Sequence, residues 1–167
     1  VLTVSAHDGH RTSFTDAAGN TTLYAVSNDL GSLVRINADG STTTLTTALN
    51  TPRAVLVNPE SLATTGFRVY VADGGTNRIV QLTDQGAVSN ANWLTATDPN
   101  AMALGPDGDL YVGSVLNNRI KRFDGVSGAF LGNFVATNLN GPHDLAFGPD
   151  GLLYVSNAFD GRVRRYD

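Results

Sequence analysis

The 167-residue chain has no cysteine, which removes disulfide bridges and thiol chemistry together and leaves the redox compartment open. No apolar run reaches the roughly 18 residues a membrane-crossing helix needs, so no membrane span is expected. No charged-then-apolar leader is legible, and a first residue of Val1 rather than Met is the expectation for a processed or trimmed start. Basic charge is scarce, with 11 Lys+Arg against 15 Asp+Glu and a net charge of −4. Affinity for phosphate backbones rests on clustered cations that release counterions, so this balance argues against a nucleic-acid partner. The one basic run, Arg162-Val163-Arg164-Arg165, alternates with valine and reads as a solvated strand edge. A helical apolar period is also missing, as are a Ser-His-Asp order, a phosphate-cradling loop and a dinucleotide fingerprint in strand-to-helix context. Eighteen glycines and only 16% charged residues fit many tight turns, and the chain reads as all-β.

What is present is a repeated phrase. Val69-Tyr70-Val71-Ala72-Asp73, Leu110-Tyr111-Val112-Gly113-Ser114 and Leu153-Tyr154-Val155-Ser156-Asn157 state it, and Leu23-Tyr24-Ala25-Val26-Ser27 blurs it. Tyr24, Tyr70, Tyr111 and Tyr154 lie 46, 41 and 43 residues apart, the length of about four strands and four turns. Such a period predicts propeller blades: units at about 7–50, 51–97, 98–139 and 140–167, in one domain. Each unit carries a first strand, a turn such as Gly105-Pro106-Asp107-Gly108, the Tyr strand, and a third strand such as Asn118-Arg119-Ile120-Lys121-Arg122-Phe123.

The combination of Gly-Pro-Asp-Gly, Leu-Tyr-Val and Asn-Arg-Ile followed by an aromatic resembles the NHL-repeat family of β-propellers over nearly the whole chain. Single blades are similar to other propellers. Gly141-Pro142-His143-Asp144-Leu145-Ala146-Phe147-Gly148-Pro149-Asp150-Gly151 resembles the streptogramin lyase group, and Pro99-Asn100-Ala101-Met102-Ala103-Leu104 resembles gluconolactonase-like propellers. The NHL resemblance implies six blades and roughly 250 residues, more than this chain supplies. The last unit stops after its third strand, so the alternating run Val1-Leu2-Thr3-Val4-Ser5-Ala6 is expected to act as its outer strand. That pairing closes four blades within one chain, or links chains into a ring or filament by strand exchange. The remaining alternative is an arc of a larger propeller.

In a propeller the start of each first strand lies beside the end of the second, at one mouth of the central channel. The first-strand set there is His10, Arg53, Asn100 and His143, and the second-strand set is Ser27, Asp73, Ser114 and Asn157. These eight positions vary while their flanks repeat, so they are the candidate ligand- or partner-binding residues. A divalent metal held by His10 and His143, helped by Asp73 or Asn157, is one reading. Arg53 at an equivalent position favours an anion such as a carboxylate instead. The lyase-like resemblance implies a Glu where Asn157 stands, and the single glutamate is Glu60. The gluconolactonase-like one implies an acidic ligand near the start of the chain, with Asn100 and Asp73 able to fill two other roles.

His7-Asp8-Gly9-His10 reads as a polar connection, and the Asp-Gly pairs as turn formers rather than calcium ligands. Arg78, Arg119 and Arg162 recur at one position and are expected to serve the architecture, while Trp93, Phe130 and Phe134 belong to outer strands that pack between blades. No catalytic residue and no cofactor is assigned. The expected function is noncatalytic recognition of a protein or small anionic ligand, or self-assembly, outside the cytoplasm or in the cell envelope. Asn20-Thr21-Thr22 is a candidate glycosylation acceptor there. The alternative is a metal-dependent lactonase or lyase using the mouth histidines.

Overall fold

Short runs in which apolar residues alternate or crowd together, broken by Gly, Asn and Asp, leave the backbone extended between tight turns. A computed structural model describes residues 11–15, 21–37, 39–58 and 68–167 of the chain. Fifteen strands account for most of these residues. Strands β1 (Arg11–Thr15), β2 (Thr21–Ser27), β3 (Ser32–Ile36) and β4 (Thr42–Thr46) form the first antiparallel sheet in sequential order. The second holds β5 (Pro52–Asn58), β6 (Arg68–Asp73), β7 (Arg78–Thr83) and β8 (Val88–Thr95). The third holds β9 (Pro99–Leu104), β10 (Leu110–Ser114), β11 (Arg119–Phe123) and β12 (Phe130–Val135). The fourth has β13 (Pro142–Phe147), β14 (Leu153–Asn157) and β15 (Arg162–Tyr166), three strands among the described residues. The proposed closing strand, residues 1 to 6, lies outside the described residues.

The four sheets stand side by side as blades, with first strands neighbouring one another in the order β1, β5, β9, β13. Period-2 alternation then gives each blade a front face toward the next blade and a back face toward the previous one. Between the first two blades, Tyr24, Val26 and Leu33 meet Val55, Val57, Val69, Val71, Val80 and Leu82. The next seam joins Ala54, Leu56 and Tyr70 to Met102, Leu110 and Val112, and the third joins Ala103, Tyr111 and Ile120 to Leu145, Leu153 and Val155. Full burial of each such aliphatic side chain contributes about 1.5–3 kcal/mol, so the seams hold the fold together.

The tyrosines couple each blade to a turn. Tyr24 and Tyr70 donate across the seam to the carbonyls of Asp84 and Gly125, at 3.2 Å each. Tyr111 and Tyr154 instead donate to Asp107 and Asp150 of their own Gly-Pro-Asp-Gly turns, at 2.9 and 2.8 Å. The same two carboxylates accept backbone N–H groups two residues on, which is the turn-forming role expected of them. Trp93 of β8 stacks on Tyr70 with ring centroids 4.3 Å apart, and Phe134 of β12 meets Tyr111 edge-on. Phe130 is more than half exposed. The recurring arginines do not share one role: Arg78 pairs with buried Asp73 at 3.1 Å, whereas Arg119 and Arg162 stand exposed beside Ser114 and Asn157, which carry no charge to pair with.

Candidate functional site

The first strands of the second, third and fourth blades start alike. Thr51, Asp98 and Gly141 adopt left-handed backbone with φ of 51, 47 and 68°, and each precedes a proline. After the proline the ladder skips a residue: Pro52 opposes Asp73 and Ala54 opposes Ala72, Pro99 opposes Ser114 and Ala101 opposes Gly113, Pro142 opposes Asn157 and Asp144 opposes Ser156. The unpaired residues are Arg53, Asn100 and His143. A β-bulge leaves its extra residue outside the ladder and re-aims the side chain. Thr51, being β-branched, is strained at positive φ, and such strain tends to gather at functional sites.

The bulged residues are linked across the blades. Arg53 pairs with Asp98 at 2.5 Å, and the Asn100 amide donates to the His143 carbonyl at 3.0 Å. Behind them three second-strand residues grip the connection into their own blade. Asp73 accepts the Asn50 N–H at 2.6 Å, Ser114 donates to the Thr97 carbonyl at 2.5 Å, and Asn157 accepts the Asn140 N–H at 2.8 Å. Asp73 also takes the Thr76 hydroxyl and Arg78, and all three gripping residues are buried. The turns between second and third strands add a further clamp: Asn77 accepts the N–H of Asp98 and Asn118 that of Gly141, at 2.7 and 2.6 Å, each reaching the next blade. The turn that holds Asn118 exposes Leu116, and the corresponding turn of the fourth blade exposes Phe159, at 75% and 68%.

No protein-family model matches the chain, and no curated protein matches it. Solved structures do. A nidogen/laminin complex contains a chain superposing with a TM-score of 0.75 at 17% identity, over 86% of this chain and 55% of that one. The fold is a β-propeller. A catalytically inactive virginiamycin B lyase from Staphylococcus aureus with quinupristin gives a TM-score of 0.64 at 18% identity, over 98% of this propeller and 57% of that chain. The Kuenenia stuttgartiensis hydrazine synthase gives 0.69 at 19%, over 87% and 42%. The propeller thus spans about half the length of the structures it matches, and at such identities the likeness is one of fold.

Of the residues singled out in the sequence, the propeller sets Arg53, Asn100 and His143 at the starts of adjacent first strands, at one end of the blades. His10 lies outside the described residues. Asp73, Ser114 and Asn157 are at the same end, turned into the protein and committed to the grips above, while Ser27 ends β2 half-buried opposite Ser32. Among the described residues no three His, Asp or Glu side chains stand close enough to hold a metal ion. Sequence reasoning missed Thr51, Asp98, Asn77 and Asn118 as the groups that set the mouth. The proline immediately before each variable residue was the available signal for the bulge.

At the opposite end, a cleft of about 500 Å³ opens between the second and third blades beside Asn58, Arg68, Tyr70, Gln81 and Trp93. Burial, with the Asp107 hydrogen bond and charge acting the same way, pushes the Tyr111 phenol up to about 12, and burial pushes Tyr24 to about 12. Both hydroxyls are therefore neutral donors at any physiological pH and act structurally.

Proposed function

We propose that the chain is a noncatalytic recognition module of NHL-like type, binding a protein partner over the mouth formed by Arg53, Asn100 and His143 and over the flanking side chains of Leu116 and Phe159. The observation that carries this reading is the threefold bulge. The same backbone device recurs in three blades and delivers three chemically different side chains, as a scaffold held constant under a varied surface would. Beyond the bonds to Asp98 and the His143 carbonyl, the remaining N–H groups of Arg53 and Asn100 supply donors for a carboxylate or carbonyl, and the exposed Leu116 and Phe159 supply apolar contact beside them. The nidogen structure is that of a complex with laminin, which makes protein binding a use this fold supports.

Selection of a randomised peptide library against the whole chain tests the reading. Enriched peptides carrying an acidic residue near an apolar one are expected, with binding lost in Arg53→Ala and in Phe159→Ser. No enrichment, or binding unchanged in both variants, overturns it. A lactonase or lyase would instead bind a stoichiometric divalent ion by calorimetry and lose it in His143→Ala.

A further inference from the structure

The cleft between the second and third blades lies at the end away from the mouth, and partner binding there leaves it unused. Both blades carry four strands and each has a further blade packed on its other side, so the seam that holds the cleft is an internal one. Its volume of about 500 Å³ lies within the roughly 300–1,000 Å³ of small-molecule sites. Tyr70 and Trp93 line it as a stack with ring planes 4° apart. Asn58 ties that stack to the third blade, its amide donating to the Tyr70 hydroxyl and to the Gly125 carbonyl at 3.4 Å each.

What the cleft offers a ligand is mainly hydrogen-bond donors. Gln81 Oε1 accepts the Ser89 hydroxyl at 3.1 Å, and Asn90 Oδ1 accepts the Asn92 N–H at 3.0 Å. Both amides are thus held by their oxygens, which leaves N–H groups to offer. Among the described residues the Trp93 indole N–H donates to no protein group. A Cβ at Gly128 would come within 3.0 Å of that nitrogen, so the missing side chain leaves room beside it. Ser127, whose hydroxyl donates to Asp124 at 2.7 Å, keeps lone pairs that accept. Among the described lining residues Arg68 carries the only charge, and none is a carboxylate.

We infer that this cleft binds a sugar acid, a saccharide unit carrying a carboxylate, at a site separate from the mouth. The amide and indole N–H groups match sugar oxygens, and a sugar hydroxyl can donate to Ser127 in return. The guanidinium of Arg68 has five N–H groups, enough to take a carboxylate beside the interaction it already makes within the protein. A purely apolar acid would leave the amides unpaired when water is displaced, and a cationic ligand would meet Arg68 with no carboxylate to balance it.

Trp93 is the single tryptophan of the chain, so its fluorescence reports this cleft and not the mouth. Titrating the whole chain with galacturonate is expected to change that fluorescence saturably, with galactose about tenfold weaker for want of the carboxylate. Asn90 is exposed, and Asn90→Ala keeps the tryptophan while weakening galacturonate about fivefold. Arg68→Gln should erase the preference over galactose. Circular dichroism checks that both variants fold. Should Arg68→Gln fail to, added salt should weaken galacturonate and leave galactose unchanged. Trigalacturonate separates the sources of the ligand: tighter binding than the monomer points to a polysaccharide, and binding no tighter to a free sugar acid. The absence of a saturable change with either acid overturns the inference. So do equal affinity for galactose, galacturonate binding unchanged in Asn90→Ala, or benzoate binding more tightly than galacturonate.

Discussion

The side-chain oxygen of Asn77 accepts the backbone N–H of Asp98 across the seam between the second and third blades, at 2.7 Å. Asn77 is itself left-handed, with φ 56°, so one residue both turns the chain and holds the next blade's bulge in place. Asn77→Gly keeps the turn and loses the bond, at a cost of about 1 kcal/mol. Asn77→Ala loses the bond and also strains the backbone, at about 2–3 kcal/mol. Urea unfolding of the two variants should show that order, and equal costs would mean that the bond alone matters.

Asp73 is the buried carboxylate of the mouth, shared between the Asn50 N–H and Arg78. Asp73→Ala leaves that N–H without an acceptor and is expected to cost about 2–4 kcal/mol. Asp73→Asn should cost clearly less, because Asn157 makes the equivalent grip on Asn140 with an amide. Denaturant midpoints compare the two directly.

Thr51 occupies positive φ with a β-branched side chain, where the fourth blade has Gly141. Asn tolerates this conformation better, so Thr51→Asn is expected to raise stability by about 0.5–1 kcal/mol. A lower melting temperature for this variant would show that the threonine is not strained.

Tyr111 has its phenol raised from 10.0 to about 12, first by burial and then by Asp107. A raised folded-state value means the native protein keeps a proton the unfolded chain has lost. The stability this contributes is complete below about pH 10 and disappears as pH climbs toward about 12. Ultraviolet difference titration should show Tyr111 ionising together with alkaline unfolding, and Tyr111→Phe should flatten the loss of stability over that window.

Strand positions and the blade count were legible along the chain because alternation and turn chemistry act over a few residues. The Tyr phrase marks buried second strands, and Gly-Pro-Asp-Gly marks the turns that Asp107 and Asp150 close. The variable residues at the first-strand starts were legible as well, by comparing copies. Their directions were not. Arg53, Asn100 and His143 are aimed by a skipped ladder pair, and that skip depends on Asp98 and Gly141 being held by Asn77 and Asn118 of the preceding blade, partners 21 and 23 residues away in sequence. Asp73 looked like a mouth ligand, and its two oxygens are taken up by the Asn50 N–H and by the side chains of Thr76 and Arg78. Local pattern says that a strand has an apolar side, but only the packing of whole blades decides whether that side meets a neighbour or water, because burial is a property of the assembled array and not of any one strand.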